Sequence, residues 1–180
     1  MAAPDASEPA SLWVQRFAAL IPPGPILDLA CGKGRHSRFF LKAGRAVTAV
    51  DIDLADVADL LLHPMFEAIP ADLENGAPWP LGERRFAGVV VTNYLHRPLF
   101  PSLLAAVASG GLLLYETFAA GNERFGRPRN PEFLLRPGEL LDLTRGRFRV
   151  LAYEDMEQSE PYPACFQRIV AVNSLSSAAA

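Results

Sequence analysis

Cysteine and histidine are scarce in this chain, which has two cysteines and three histidines. Cys31 and Cys165 lie far apart, without the spacing of a disulfide framework, so we expect two free thiols. The histidines His36, His63 and His96 each stand alone. Because a zinc site needs several clustered ligands, we predict no metal site.

The chain also lacks long hydrophobic runs and an excess of positive charge. Its apolar runs are far shorter than the roughly 20 residues of a membrane-spanning helix. With 17 Lys and Arg against 20 Asp and Glu, the formal net charge is −3, which disfavours nucleic acid and acidic membranes as partners. Residues 1–10 do not resemble a signal peptide. We therefore expect a cytoplasmic protein, monomeric or homodimeric, with a small-molecule partner.

What the chain does have is a large apolar content. Half of the 180 residues are hydrophobic and 21% are charged. A chain of this size typically forms one domain around one core. We predict a single domain over residues 11–173, with a flexible leader at 1–10 and a flexible tail of small residues at 174–180.

Strand and helix patterns alternate along most of the chain. The predicted strands are 26–30, 46–50, 66–70, 86–92 and 112–117, then 148–156 and 168–172 as antiparallel strands. The predicted helices are 11–21, 35–43, 54–62, 98–108 and 138–143, and Gly110 and Gly111 are predicted to turn the chain. This pattern indicates an α/β fold with a doubly wound, Rossmann-like, mostly parallel seven-stranded sheet, an antiparallel edge strand and helices on both faces.

Six residues stand at or just after the ends of predicted strands. They are Asp28, Gly32, Gly34, Asp51, Asp72 and Asn93. In a doubly wound sheet, ligands bind beyond the carboxyl ends of the strands, near the point where the strand order reverses. We therefore expect these six residues to converge on one crevice.

A glycine loop, Cys31-Gly-Lys-Gly34, separates the first predicted strand from the next helix. The glycines free the backbone to turn, and the helix start offers N–H groups to an anion. By itself the loop is also compatible with a plain tight turn. Asp51 follows Gly32 at about the 20-residue spacing at which an acidic residue accepts ribose hydroxyls, which indicates a nucleoside. Asp53 is interpreted as a helix cap.

Residues 26–37, Ile-Leu-Asp-Leu-Ala-Cys-Gly-Lys-Gly-Arg-His-Ser, resemble the first motif of the class I S-adenosylmethionine-dependent methyltransferases, and residues 47–53 resemble their second. An acidic residue ahead of the glycines separates this motif from the dehydrogenase fingerprint. The resemblance implies S-adenosylmethionine as cofactor, with Asp28 toward its cationic methionine part. It also implies that Asp72 accepts the adenine amino group and that Leu73 flanks the ring.

The resemblance extends past the cofactor motifs. Residues 115–118 and 133–140 resemble small-molecule methyltransferases of the tellurite-resistance TehB type, which implies a thiol, a chalcogen oxyanion or another small nucleophile as acceptor. Two positions depart from the family pattern: Ala30 replaces a frequent glycine, and Ala87 a common aspartate. The cofactor-binding residues that the resemblance implies are Asp28, Ala30, Cys31, Gly32, Gly34, Arg35, His36, Asp51, Ile52, Asp72, Leu73 and Asn93.

His96 and Tyr94, just past the fourth predicted strand, are the catalytic candidates. Methyl transfer from a sulfonium needs mainly alignment, and only an amine or hydroxyl acceptor needs a base. A histidine can accept a proton near neutral pH, so His96 is the candidate base. Ordering of the loop is the alternative role for His96.

The segment 118–136 contains four arginines. Arg127 and Arg129 are the predicted acceptor-binding pair, because guanidinium groups hold oxyanions well. Glu116 is a further acceptor-binding candidate. Glutamates lie among these arginines, so a solvated loop is the alternative.

Three other functions are alternatives to methyl transfer onto a small molecule. A non-catalytic module that senses S-adenosylmethionine or S-adenosylhomocysteine would use the same residues. A dehydrogenase is disfavoured by Asp28 and by Ser37, which stands in place of a third glycine. Methylation of nucleic-acid bases is disfavoured because residues 92–96 lack the Asn/Asp-Pro-Pro-aromatic motif of amino-directed base methyltransferases.

Overall fold

A computed structural model describes residues 8–174 as a central seven-stranded sheet flanked by helices. The strands are β1 Ile26–Leu29, β2 Val47–Asp51, β3 Phe66–Pro70, β4 Phe86–Thr92, β5 Val107–Phe118, β6 Phe148–Gln158 and β7 Ala164–Asn173. Their order is β3-β2-β1-β4-β5-β7-β6. β1 to β5 run parallel, and β7 is antiparallel to both β5 and β6. The predicted fold class is confirmed, with an antiparallel pair of strands at one edge.

The helices that connect the strands are short. The α-helices are α1 Leu12–Phe17, α2 Arg35–Lys42, α3 Phe100–Ala106 and α4 Glu139–Thr144, and 3₁₀ helices cover Ala18–Leu20, Ala55–Leu60, Arg97–Leu99, Asn122–Arg124 and Pro131–Phe133. The Ser11 hydroxyl caps α1 by accepting the Val14 N–H at 3.1 Å. Helices of this length owe their stability to packing on the sheet more than to intrinsic propensity.

A separate apolar cluster fills each face of the sheet. On one face, α1 and α2 contribute Trp13 and Phe40. On the other face, α3 and α4 contribute Leu103 and Leu140. The valines 89–91 of β4 alternate between the two clusters, so β4 is apolar on both sides, as in a covered parallel sheet. The two clusters hold the strand ends, and the loops that follow them, in fixed positions.

The predicted helix at 54–62 is wrong, because Ala55–Leu60 forms a 3₁₀ helix. Asp53 Oδ1 accepts the Ala55 N–H, two residues on, at 2.9 Å, so a tight turn starts this segment. Val57 is the one buried residue of the segment. The interpretation of Asp53 as a helix cap is wrong, because the N-cap position of this 3₁₀ helix is Leu54 and no side chain caps it.

The prediction that Gly110 and Gly111 turn the chain is wrong, because both lie within β5. The preceding helix ends at Ala106, and the β4–β5 register shifts after the pair Phe86–Val107. Gly110 has a φ of +72°, and a Cβ at Gly111 would meet three backbone carbonyl oxygens at 2.9–3.0 Å. The glycines therefore form an irregular step inside a strand.

Both ends of the described chain pack against the domain. Glu8 pairs with Arg35 at 3.6 Å, and the buried Ala10 accepts the Gln15 side-chain amide at 2.6 Å through its carbonyl oxygen. Asn173, the last residue of β7, donates to the Val107 carbonyl at 2.8 Å. Most of the predicted leader and tail, residues 1–7 and 175–180, lies outside the described residues.

Candidate functional site

The carboxyl ends of the parallel strands β1 to β4 lie at one edge of the sheet. The strand order reverses between β1 and β4, which is where doubly wound sheets bind ligands. Ala30, Asp51, Asp72 and Asn93 lie at the end of β1, β2, β3 and β4 or within two residues of it. The sheet thus brings together residues that are far apart in the sequence.

The loop between β1 and α2 uses left-handed backbone at three positions: φ is +53° at Ala30, +51° at Gly32 and +73° at Gly34. The Cys31 N–H donates to the Val50 carbonyl at 3.1 Å, and the Gly34 N–H donates to the Cys31 carbonyl at 2.9 Å. These bonds attach the loop to β2 and fix its turn. Alanine carries a cost of about 1 kcal/mol in this backbone region, so residue 30 is a position that favours glycine.

Asp51 supports this loop from the neighbouring strand. Its Oδ2 accepts the Gly32 N–H at 2.8 Å, and its Oδ1 accepts the Asp53 N–H at 3.2 Å. Because each carboxylate oxygen has two lone pairs, both oxygens keep an acceptor position for a ligand. Asp51 can therefore bind hydroxyl groups while it shapes the glycine loop.

Asp28 lies within β1, behind the loop, and is only 2% exposed. Its Oδ2 accepts the Ser37 hydroxyl at 2.6 Å. Burial raises the pKa of Asp28 to about 7, and the hydrogen bonds from Ser37 and the charge of Arg35 only partly offset it. The carboxyl group of Asp28 therefore changes its charge near neutral pH. Asp28 lines neither of the two cavities described below.

The Asp28→Asn variant is expected to be more stable than the wild type at pH 8 without ligand. The pKa of Asp28 is about 7 in the folded protein, above the ordinary value of 3.8. Protonated Asp28 therefore contributes fully to the free energy of unfolding below about pH 4, and this contribution is lost as the pH rises through 7. The stability gain of the variant should therefore grow as the pH rises from about 5 to about 7 and then level off, measured by urea unfolding.

The Asp59→Asn variant is the control for this titration. Asp59 is exposed, and its hydrogen bond with Arg38 lowers its pKa. Its ionised form is therefore the one that contributes stability above about pH 4, so its variant should show a constant difference from the wild type across the same range. A pH-independent gain in Asp28→Asn would contradict the assignment of a raised pKa to Asp28.

A smaller cavity of 390 Å³ opens beside the glycine loop. It is lined by Ala30, Asp51, Ile52, Ala71, Asp72, Leu73, Glu74, Asn75 and Tyr94. Asp72 Oδ1 accepts the Glu74 N–H at 2.9 Å, which orders the outer rim. The cavity therefore offers carboxylate acceptors beside apolar side chains, an arrangement suited to hydroxyl and amino groups on a flat ring.

A larger cavity of 470 Å³ lies on the other side of the glycine loop. It is lined by Glu8, Arg35, Asn93, Phe118, Asn122, Phe125, Gly126, Arg127, Tyr162, Pro163 and Ala164. These residues come from the chain before α1, the start of α2, the ends of β4 and β5, the segment 118–136 with its four arginines, and the β6–β7 connection. Aromatic rings and opposite charges share its walls.

Residues that are close in the sequence line different cavities at two points of the chain. Asn93 lines the larger cavity and the next residue, Tyr94, lines the smaller one. The residues on either side of the glycine loop are divided in the same way. Ala30, just before the loop, lines the smaller cavity, and Arg35, just after it, lines the larger one. A molecule bound along this loop would therefore present one end to each cavity.

Five predicted cofactor residues line neither cavity: Asp28, Cys31, Gly32, Gly34 and His36. Burial raises the pKa of the Cys31 thiol, which keeps it protonated and unreactive. Burial also lowers the pKa of His36 to about 3. The neutral His36 ring accepts the Ser11 N–H at 3.2 Å through Nε2. His36 thus attaches the start of α1 to α2, and its contact with a cofactor stays a prediction.

The structure separates the two catalytic candidates. Tyr94 lines the smaller cavity, whereas His96 lines neither cavity and directly precedes the 3₁₀ helix Arg97–Leu99. Burial, and then the charge of nearby Glu74, raise the pKa of Tyr94. The Tyr94 hydroxyl is therefore neutral at physiological pH and suits a hydrogen-bond donor better than a base.

The three predicted acceptor-binding residues lie in different surroundings. Arg127 lines the larger cavity, and Arg129 lines neither cavity. Glu116 is buried and paired with Arg168 at 2.5 Å, so its charge is already compensated. Arg127 is the one of the three that the structure places at a cavity wall, and binding by all three stays a prediction.

Several residues of the larger cavity were not predicted from the sequence as site residues, among them Glu8, Asn122, Phe125 and Tyr162. Tyr162 lies between two prolines in the β6–β7 connection, a pattern that could have suggested an ordered turn. Nothing in the sequence signals that Glu8 approaches the same space, because only the tertiary fold brings it there.

No group of three or more His, Cys, Asp or Glu side chains within residues 8–174 is arranged to hold a metal ion. In the same part of the chain, every helix is too short or too polar to cross a membrane. The two cavity walls are instead made of carboxylates, amides, arginines, aromatic rings and main chain.

No protein-family model and no curated protein matches the sequence. Solved structures, however, are similar to the fold of this chain. TehB from Haemophilus influenzae shares 22% identity at a TM-score of 0.70, over 89% of this chain and 61% of that chain. This chain therefore spans less than two thirds of the TehB chain. Further similar structures are S-adenosylmethionine-dependent methyltransferases as well.

Two of these structures contain S-adenosylhomocysteine. Burkholderia thailandensis 1,6-didemethyltoxoflavin-N1-methyltransferase shares 20% identity at a TM-score of 0.67, over 91% of this chain and 76% of that chain. The glycopeptide N-methyltransferase MtfA shares 21% identity at a TM-score of 0.63, over 94% and 92% of the two chains. At this level of identity the similarity establishes the fold alone, a Rossmann-like sheet that this chain shares with these methyltransferase structures.

Proposed function

We propose that this chain is an S-adenosylmethionine-dependent methyltransferase that acts on a small-molecule acceptor, such as a thiol, a chalcogen oxyanion or another small nucleophile. The observation that carries the proposal is the position of Asp51, which bonds to the Gly32 N–H at 2.8 Å and lines the smaller cavity together with Asp72. The fold shared with structures that contain S-adenosylhomocysteine supports the same function.

The residues around the smaller cavity fit this cofactor. Asp51 keeps acceptor positions for two ribose hydroxyls, and Asp72 and Leu73 offer an acceptor and an apolar surface for the adenine. Ionised Asp28 behind the loop favours a positively charged group. A pyrophosphate would meet two carboxylates near the glycine loop, so these residues suit a dinucleotide poorly.

The chain's own contribution to methyl transfer is alignment and exclusion of water. When bound, the cofactor supplies an activated methyl group and its own leaving group. Asn93 lines the larger cavity, next in the chain to Tyr94 of the smaller one, and would position that end of the cofactor. Tyr94 can donate a hydrogen bond in the smaller cavity, and His96 remains the predicted base for an amine or hydroxyl acceptor.

Calorimetry with S-adenosylhomocysteine and with NAD tests the cofactor half of the proposal. We expect saturable binding of S-adenosylhomocysteine and none of NAD, because the carboxylates near the glycine loop repel a pyrophosphate. An assay with methyl-labelled S-adenosylmethionine over thiols, selenium and tellurium oxyanions, and small amines tests the transfer.

The two measurements separate three outcomes. Binding together with labelled product supports the methyltransferase. Binding without product from any acceptor class contradicts the enzyme assignment and favours a sensor. Binding of NAD in place of S-adenosylhomocysteine contradicts the nucleoside assignment itself.

A further inference from the structure

The larger cavity has the walls of a site for an organic ring. Phe118, Phe125 and Tyr162 line it from three separate parts of the chain. Its volume of 470 Å³ falls within the range of about 300–1,000 Å³ found for sites of ring-containing small molecules. Aromatic side chains favour a flat apolar partner, because stacking adds to the removal of apolar surface from water.

One positive charge in this cavity is uncompensated. Arg35 is paired with Glu8 at 3.6 Å, so these two charges offset each other. Arg127 forms no hydrogen bond or ion pair with any residue in the range 8–174. A guanidinium group that is free and faces a cavity is a fitting partner for one carboxylate of a ligand.

The wall that carries Arg127 is held in place. The Asn122 side chain is buried, and its Oδ1 accepts the Cys165 N–H of β7 at 3.2 Å while its amide nitrogen donates to the Pro128 carbonyl at 3.3 Å. Phe118 stacks on Phe166 with ring centroids 4.7 Å apart. Both sides of the cavity are therefore ordered before a ligand arrives, which lowers the entropy cost of binding.

An inorganic oxyanion would use only part of this site. It could pair with Arg127, but it would leave the exposed rings of Phe125 and Tyr162 facing water. A neutral ring would cover the aromatic walls and leave the Arg127 charge without a partner. A molecule that has both a ring and a negative charge satisfies both features of the cavity.

We propose that the larger cavity binds a planar aromatic molecule with one anionic group, with the ring against Phe118, Phe125 and Tyr162 and the anionic group at Arg127. This inference rests on the proposed function, for which it names the acceptor class. Within that function, it favours an aromatic thiol, amine or hydroxyl compound that carries a carboxylate over an inorganic oxyanion.

The test is calorimetry on the full chain saturated with S-adenosylhomocysteine, using 2-naphthoate as probe. The neutral 2-naphthamide tests the charge, and cyclohexanecarboxylate and tellurite test the ring. We expect 2-naphthoate to bind at least about tenfold more tightly than each of the others. Arg127→Gln should remove the preference for 2-naphthoate over 2-naphthamide, with little change for 2-naphthamide.

Arg149→Gln is the matched control, because Arg149 is an exposed arginine on β6 that lines neither cavity. It loses the same charge and should keep the preference. Equal binding of 2-naphthoate and 2-naphthamide, tighter binding of tellurite, or equal effects of the two arginine variants would overturn the inference. S-Adenosylhomocysteine binding is measured first in each sample, so a missing cofactor site is distinguished from a missing acceptor site.

Discussion

Replacing Gly34 by alanine is expected to lower the free energy of unfolding by about 2–5 kcal/mol. Two costs add. An alanine at a φ of +73° is strained, and its Cβ would overlap the Cγ1 methyl group of Val57. Val57 is completely buried, so it has little room to move away. Urea unfolding of the ligand-free protein measures the loss.

Gly32→Ala is the matched control within the same loop. Its φ of +51° imposes the same kind of strain, but no atom lies within 4 Å of the added Cβ. We expect a loss of only about 1 kcal/mol. In the double variant Gly34→Ala/Val57→Ala, the two losses should be less than additive, because the overlap disappears. Equal losses in the two glycine variants would show that Val57 does not restrict this turn.

Replacing Asp51 by alanine is expected to weaken S-adenosylhomocysteine binding by about tenfold to 100-fold, which corresponds to about 1–3 kcal/mol. The variant loses the predicted acceptor for the ribose hydroxyls. It also leaves the Gly32 N–H without its partner at 2.8 Å, so the glycine loop is less well held. Calorimetry with wild type and variant at the same pH measures the change.

Asp53→Ala removes the same charge two residues away. Asp53 is exposed, lines neither cavity, and uses its side chain to accept the Ala55 N–H at 2.9 Å. We expect its affinity for S-adenosylhomocysteine to stay within about twofold of the wild type, since exposed charges are well screened. If the two variants weaken binding equally, the effect comes from net charge and the ribose assignment of Asp51 fails.

Strong local signals explain the parts of the fold that the sequence predicted well. The valines 89–91 form a continuous apolar run, and the structure buries them between two clusters as a central strand. Gly32 and Asp51 were expected at one crevice because both follow strand ends, and a hydrogen bond of 2.8 Å joins them. Both signals depend on local chain geometry, which is the same in every parallel sheet of this type.

The parts that the sequence did not predict depend on contacts between distant segments. The helical periodicity of 54–62 did not reveal the tight turn at Asp53, and Gly110 and Gly111 looked like a loop although they lie within β5, where its register with β4 shifts. Local pattern gives weak information where a hydrogen bond to a single side chain, or pairing with a neighbouring strand, decides the backbone conformation.

The order of apolar and polar residues by itself determined the alternation of strands and helices, and hence the strand ends at or after which Asp51, Asp72 and Asn93 lie. Only the tertiary structure decided that Arg127 lines a cavity while Arg129 does not, and that Asp28 is buried behind the glycine loop. The physical reason is that periodicity records which faces of an element are covered, whereas the direction of a loop side chain and the pKa of a buried acid depend on neighbours from remote parts of the chain.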